Sequence, residues 1–236
     1  MTLLDIKGLH AHYGKSHILH GVDMTVPEGA IVSLLGRNGS GRSTLMKAIM
    51  GIVPPTGGQV ILDGRDLAGA RPHDICRQGI GYVPEERLVF ANLTVAENLA
   101  MGVQRGRPGT HQWSVEDMYA YFPRLHERRD INAGYLSGGE QQMLTMCRSL
   151  LGNPRLLLID EPTEGLAPKI VEVVMEVILD IARRGVSVLL VEQKLTIALR
   201  VAHEVLVMGH GELVFHGSPD ALAARPDVRR NWLEVA

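Results

Sequence analysis

The chain has 236 residues, 45% of them hydrophobic and 21% charged, with a formal net charge of −2 at pH 7. That length and apolar content predict one large globular domain, or a core with inserted subdomains, and exclude a disordered chain. The near-neutral balance, without a basic block, argues against wholesale nucleic-acid binding.

Two cysteines occur, Cys76 and Cys147, without metal-ligand spacing, and both are expected to be reduced, buried thiols. Residues Met1 to Lys7 contain no long apolar region and no small-residue cleavage site. The longest apolar runs, such as Val186 to Val191, fall far short of the ~20 residues that span a bilayer. The expected location is therefore cytoplasmic, with membrane contact only through a partner.

Residues 1–30 alternate like antiparallel strands. Leu9, Ala11 and Tyr13 share one face, Val22, Met24 and Val26 another, and Pro27-Glu28-Gly29 makes a turn. The apolar run Ala30 to Leu35 reads as a buried strand. It leads into Gly36-Arg37-Asn38-Gly39-Ser40-Gly41-Arg42-Ser43-Thr44, then into a short helix, Leu45 to Met50, stopped by Gly51 and Pro54-Pro55. Strand, glycine loop and helix is the context of a phosphate-binding loop. Glycines let successive backbone N–H groups turn towards an anion, and the helix N-terminus adds partial positive charge. The pattern G-x-x-x-x-G-K-[ST] places the Ser43 hydroxyl on Mg²⁺, but it demands Lys where this chain has Arg42.

Gly57 to Gly64 reads as a strand ending in an Asp-Gly turn, and Gly79 to Val83 as a strand stopped by Pro84. From about Thr94 the texture becomes helical and polar. Thr94 to Glu97 and Ser114 to Asp117 fit capping boxes, with a solvated surface loop, Arg105-Gly106-Arg107-Pro108-Gly109, between them. Leu136-Ser137-Gly138-Gly139-Glu140 opens a helix with Met143, Leu144, Cys147, Leu150 and Leu151 at helical spacing, ended by Gly152-Asn153-Pro154. The last third alternates strand and helix. Leu156 to Ile159 is a strand, Ile170, Val174, Val177, Ile178 and Ile181 mark a helix face, Val186 to Val191 is a strand, and Leu195 to Ala202 a helix. Two short strands flank Gly209-His210-Gly211, and Ser218-Pro219 opens a terminal helix. Continuous apolar strands alternating with amphipathic helices predict an α/β fold with a mostly parallel sheet covered on both faces.

Two further stretches carry chemistry. Leu156 to Ile159 runs straight into Asp160-Glu161, which places two carboxylates at the carboxyl end of a strand, where parallel sheets bind ligands. Asp160 suits a Mg²⁺ ligand through water, and Glu161 suits positioning or deprotonating a water that attacks a γ-phosphate. Taken alone, the pair reads equally well as a strand ending in a surface turn at Pro162. Ser137-Gly138-Gly139 at a helix start is a second anion site.

In this order and spacing, the glycine loop, Leu-Ser-Gly-Gly-Glu and strand-Asp-Glu resemble the ATP-binding cassettes of the ABC type over nearly the whole chain. The resemblance implies a P-loop ABC ATPase cassette as one domain, 1–236. Its parts are a parallel-sheet core, an antiparallel β subdomain and an inserted helical subdomain near 88–152. It implies ATP and Mg²⁺ as cofactors. ATP is then held by Tyr13 at the adenine, by Gly36 to Thr44, and by Ser137, Gly138, Gly139 and Glu140 of a second cassette paired head to tail. A core or edge-strand role is the alternative for Tyr13. Mg²⁺ falls to Ser43, Glu85 and Asp160, and catalysis to Glu161 and Gln193.

Glu85 stands where most cassettes have Gln, and Gln193 where most have His. Pro162 to Ala167 falls where the family crosses between cassettes, and with the Glu-Gly-Leu-Ala-Pro of Glu164 to Pro168 these departures resemble one subgroup, the second ATP-binding subunit of importers for branched-chain and other hydrophobic amino acids. Urea and amide importers share much of the pattern. The implied partners are two membrane permease subunits, a second, non-identical ABC ATPase subunit and, indirectly, an extracytoplasmic solute-binding protein, with no nucleic acid. The implied place is the cytoplasmic face of the inner membrane. Arg42 is always cationic and bulkier than Lys, so the expectation is an ATPase with slowed hydrolysis. The alternative is a nucleotide-gated regulatory cassette. A soluble ABC ATPase acting on ribosomes or DNA is disfavoured by the single cassette, the lack of large inserts and the near-neutral charge.

Overall fold

The computed structural model describes residues 1–106 and 111–234. Residues 107–109 of the expected surface loop lie outside the described residues.

Strands β1 (Thr2–Tyr13) and β2 (Ser16–Pro27) pair antiparallel, as their alternation requires. Leu9, Ala11, Val22, Met24 and Val26 are buried, whereas Tyr13, at the strand end, is exposed. β3 (Ile31–Gly36) is buried along its whole length and runs through the glycine loop into α1 (Arg42–Ile49). β4 (Pro55–Leu62) and β5 (Arg65–Asp66) form a hairpin across Asp63-Gly64, whose φ values of +50° and +78° are what a two-residue primed turn needs. Together they make a four-stranded sheet in the order β2-β1-β4-β5.

A short helix, α2 (Pro72–Arg77), follows, opened by Pro72 and burying only Ile75. No sequence pattern had marked it, and it corrects one expectation: Cys76 lies on its outer face and is exposed, while Cys147 is buried as expected. After β6 (Ile80–Val83) come α3 (Val95–Ala100), α4 (Val115–Tyr121), α5 (Pro123–Glu127) and α6 (Gly138–Leu150). Reciprocal capping boxes open α3, α4 and α6. β7 (Leu156–Asp160), α7 (Pro168–Arg183), β8 (Ser187–Val191), α8 (Leu195–Val201), β9 (Glu204–Gly209) and β10 (Glu212–Gly217) then alternate much as the sequence suggests. The terminal helix opened by Ser218 is α9 (Pro219–Ala223); a further helix, α10 (Pro226–Trp232), restarts at Pro226.

The second sheet has the order β10-β9-β3-β8-β7-β6, parallel except for the β9–β10 hairpin. Along β7 the side chains alternate between two cores. Leu157 and Ile159 pack with Val174 and Ile178 of α7 and Leu144 of α6. Leu156 and Leu158 pack with Ile49 of α1 and Leu4 of the antiparallel sheet. A strand covered on both faces has no polar side, which is why it reads as an unbroken apolar run.

The register sets the site. Val83 pairs with Ile159, Asp160 with Val191, and Leu34 with Val191, so β3, β6, β7 and β8 end at one edge. The glycine loop, Glu85, Asp160-Glu161 and Gln193 all leave the sheet there, at its carboxyl edge.

Candidate active site

Gly36 ends β3 in register with Met208 of β9, and a Cβ there would lie 2.5 Å from the Met208 carbonyl oxygen. Beyond it, Arg37, Asn38 and Gly39 are exposed and Ser40 is buried. Gly41 holds a φ of +107° at the N-terminus of α1, with no side-chain cap over the helix's first N–H groups. Gly39 faces open space, with nothing within 4 Å of where its Cβ would stand. The Ser40 hydroxyl is buried without a hydrogen-bond partner among the described residues. A curved backbone, bare N–H groups and room at Gly39 fit an anionic phosphate chain.

The loop from Asn38 to Thr44 lines a cavity of about 300 Å³ together with Glu85, Glu161, Glu164 and Gln193. Arg37 lies apart, beside Met208 and Trp232. The Arg42 guanidinium turns into the cavity floor. Its Nη2 donates to Glu161 Oε1 at 2.9 Å and to Asn38 Oδ1 at 3.4 Å, and its Nη1 to the Glu192 carbonyl at 3.1 Å. Gln193 Nε2 donates to the other Glu161 oxygen at 2.6 Å. Both oxygens of Glu161 are thus engaged. The nearby Lys47 does not stand in for the loop lysine, because its ammonium pairs with Glu86 at 3.1 Å.

Glu161 has a φ of +47°, a left-handed conformation uncommon for a residue with a side chain. Strain of this kind persists where surrounding bonds over-determine the backbone; here the Glu161 N–H is fixed by the Val191 carbonyl at 3.0 Å. Burial pushes the Glu161 carboxyl up to about 7, against the opposing pull of Arg42 and Gln193. A carboxylate poised near neutral pH is suited to take up a proton.

Asp160 is almost fully buried, and its Oδ1 accepts from the Ser43 hydroxyl at 3.4 Å. Burial raises its carboxyl, opposed by Ser43 and Arg42. A hydroxyl beside a carboxylate, with a second carboxylate cluster nearby, is an all-oxygen donor set of the kind hard divalent cations use. That second cluster is Glu85, Glu161 and Glu164, whose carboxylate oxygens lie within 4.8 Å of one another. Burial foremost, and then Glu164, raises Glu85.

Tyr13 and the Ser137 to Glu140 stretch do not line this cavity. The Ser137 hydroxyl donates to Glu140 Oε2 at 2.8 Å and accepts from the Glu140 N–H at 3.3 Å, closing the capping box of α6. Arg128 Nη1 binds Glu140 Oε2 at 3.2 Å. Gly138 and Gly139 are the first residues of that helix.

Sequence reasoning missed three participants. Tyr82 donates to Asp160 Oδ2 at 3.5 Å, and burial, then Asp160, pushes its hydroxyl pKa upward. Glu192 is buried and accepts from the Thr163 hydroxyl at 2.8 Å while its carbonyl holds Arg42. Arg87 donates to the Glu164 carbonyl at 2.8 Å and would meet any side chain placed at Gly138, so it bridges three segments. The charged run Glu85-Glu86-Arg87 after Pro84 was the available signal for Arg87; Tyr82 reads as a strand residue, and Glu192 follows directly on the strand Val186 to Val191 with no signal of its own.

Known proteins place this geometry in a family. The family described as ABC transporter matches residues 19–164. The high-affinity branched-chain amino acid transport ATP-binding protein BraG of Pseudomonas aeruginosa is 42% identical, over 98% of this chain and 99% of its own. The probable branched-chain amino acid transport ATP-binding protein LivF of Archaeoglobus fulgidus is 36% identical over 91% of both. The lipopolysaccharide export system ATP-binding protein LptB of Escherichia coli is 32% identical over 99% and 98%. Among solved structures, a nucleotide-free ATP-binding cassette from an ABC transporter matches with a TM-score of 0.83 and 26% identity over 97% of each chain. The chain belongs to the ABC transporter family and is one of its ATP-binding, ATP-hydrolysing subunits.

Proposed function

We propose that this chain energises the uptake of branched-chain or related hydrophobic amino acids as the ATPase subunit of an importer. The observation that carries this reading is the full-length likeness to BraG, higher than that to LptB. In this scheme the whole chain acts as one cassette, with its helical part near 88–152 meeting two membrane permeases. A second, non-identical cassette pairs with it head to tail, and a solute-binding protein outside the membrane delivers the solute. The subunit sits peripherally on the cytoplasmic face, and no nucleic acid takes part.

Residues Gly36 to Thr44 bind the phosphates through backbone N–H groups, with Arg42 as the guanidinium donor. Ser43, Asp160 and Glu85 hold Mg²⁺, and Tyr13 stacks on the adenine. Ser137, Gly138, Gly139 and Glu140 face the nucleotide of the paired cassette. Bound Mg-ATP would supply the phosphoryl bond to be broken, and its Mg²⁺ the positive charge that offsets the carboxylates. Glu161 takes a proton from the attacking water at Oε1, once Arg42 has released that oxygen. Gln193 then holds the other oxygen and fixes the carboxylate plane.

The Arg42–Glu161 ion pair favours a second reading, a nucleotide-gated cassette that closes on ATP and hydrolyses it weakly. The test is leucine-dependent ATP hydrolysis in proteoliposomes holding the permeases, both cassettes and the binding protein, with Glu161→Gln as background. Wild-type turnover above background supports the ATPase reading. ATP binding without turnover, restored by Arg42→Lys, supports the gated one. Turnover driven by urea or an amide, and not by leucine, moves the solute to that importer class. Failure to copurify with permeases sinks all of these.

A further inference from the structure

Arg87 sits where three segments meet, and none of them satisfies its charge. It follows Pro84-Glu85-Glu86 and holds a φ of +50°, a left-handed conformation that persists only where surrounding structure maintains it. Its Nη2 donates to the Glu164 carbonyl at 2.8 Å, and a Cβ at Gly165 would stand 3.3 Å from that same nitrogen. A Cβ at Gly138 would strike Nη1, so glycine there leaves the guanidinium room over the start of α6.

The Glu164 carbonyl is the one hydrogen-bond partner of this side chain among the described residues. The carboxylate of the first turn of α6, Glu140, is engaged by Ser137, Arg128 and Arg124. Glu85, Glu161 and Glu164 turn carboxylate oxygens towards one another. The first N–H groups of a helix lack partners within it and carry partial positive charge. A guanidinium beside the start of this 13-residue helix therefore sets like polarities together, with no carboxylate paired to it among the described residues. An anion removes that repulsion.

We propose that Arg87 is a further catalytic residue, whose guanidinium binds the terminal phosphate of the ATP held by the paired cassette. This role rests on the head-to-tail pairing proposed above, in which Ser137 to Glu140 face that nucleotide. The cavity for the chain's own nucleotide is lined by Glu85, Glu161 and Glu164 but not by Arg87. Arg87 therefore serves the other site. A planar guanidinium keeps Nη2 on the Glu164 carbonyl and offers Nη1 and Nε to phosphate oxygens. It moves no proton. It offsets the negative charge on the terminal oxygens as the phosphoryl group passes to water.

The test is equilibrium titration of the assembled importer with adenylyl imidodiphosphate, an uncleavable ATP analogue, and with ADP, which lacks the terminal phosphate. Gly39→Asp sets a carboxylate in this chain's own phosphate loop, so that only the paired cassette's site is read. In that background Arg87→Gln is expected to raise the Kd for the analogue at least about tenfold, the worth of a hydrogen bond to a charged group. Arg87→Lys, which keeps the charge, recovers most of that loss. ADP binds all three forms alike, and ATP turnover by the paired cassette falls in the same order. Analogue binding unchanged by Arg87→Gln overturns the proposal. Equal weakening by the glutamine and lysine variants, or equal weakening for ADP, also overturns it, because a merely structural role predicts both. Gly139→Asp in the same background tells the two failures apart. If it weakens analogue binding and Arg87→Gln does not, only the role of Arg87 falls. If neither has an effect, the head-to-tail pairing falls and takes the role of Arg87 with it.

Discussion

Arg42 and Glu161 form a buried ion pair. Arg42 Nη2 lies 2.9 Å from Glu161 Oε1, and neither side chain exposes more than 6% of its surface. The residue proposed to bind phosphate and the residue proposed to activate water are thus each other's partner. A phosphate entering the loop must compete with Glu161 for the guanidinium. A planar fork that satisfies both the carboxylate and the Glu192 carbonyl is harder to draw away than a single ammonium.

Arg42→Lys is therefore expected to speed hydrolysis. A hydrogen bond to a charged group is worth about 1.5–3 kcal/mol, which is roughly ten- to a hundredfold in rate if freeing Glu161 limits turnover. Steady-state phosphate release by Arg42→Lys, set against wild type and Glu161→Gln, reads this directly. A slower lysine variant would mean that the guanidinium contributes more to the transition state than it withholds from Glu161.

Hydrolysis should rise with pH across neutrality. Burial pushes the Glu161 carboxyl up to about 7, and only its ionised form accepts a proton, so the active fraction grows as the pH passes that value. Between pH 6 and 7 the ionised fraction increases about fivefold, and it levels off by about pH 8. A rate profile flat from pH 6 to 8 would show that another step, or another base, governs turnover.

The elements most legible in the sequence were those whose signal is local. The loop from Gly36 to Thr44, the apolar β7 and β8, and the capping boxes at Thr94, Ser114 and Ser137 each announce themselves within a few residues. The helices α2, α5 and α10 did not, because five to seven residues that bury one side chain each show no periodicity. Their only shared mark is a proline at the first position. The Arg42–Glu161 pair was illegible for a different reason. It joins residues 119 apart and depends on which way a long side chain turns once β3 and β7 flank β8.

Ser137→Ala should cost stability as well as whatever it costs in function. The hydroxyl caps α6 and bonds Glu140, which is itself paired with Arg128. Removing such a cap costs about 1 kcal/mol. Burial opposes ionisation of Glu140, yet the bonds from Ser137 and Arg128 hold its carboxyl below the usual range. The stabilisation is therefore full at neutral pH and lost as acid protonates Glu140. Urea midpoints of wild type, Ser137→Ala and Ser137→Thr at pH 7 and pH 4 test this. The alanine variant should fall below the other two at pH 7, with the gap narrowing at pH 4.

Tyr13→Ala should weaken ATP binding with little effect on folding. Tyr13 ends β1 just before the Gly14 turn and leaves 49% of its surface exposed, unlike Leu9 and Ala11 on the same strand. An exposed ring contributes little to the core, and surface substitutions of this kind usually stay within about 0.5 kcal/mol. A base stacked on an aromatic ring is worth about 1–3 kcal/mol by alanine substitution, or roughly ten- to a hundredfold in Kd. Nucleotide titrations in a Glu161→Gln background, which prevents turnover, separate the two effects. Tyr13→Phe should bind like the parent, because stacking needs the ring and not the hydroxyl. If the alanine variant binds ATP as tightly as the parent, Tyr13 is only an edge-strand residue, and the adenine must be held by another side.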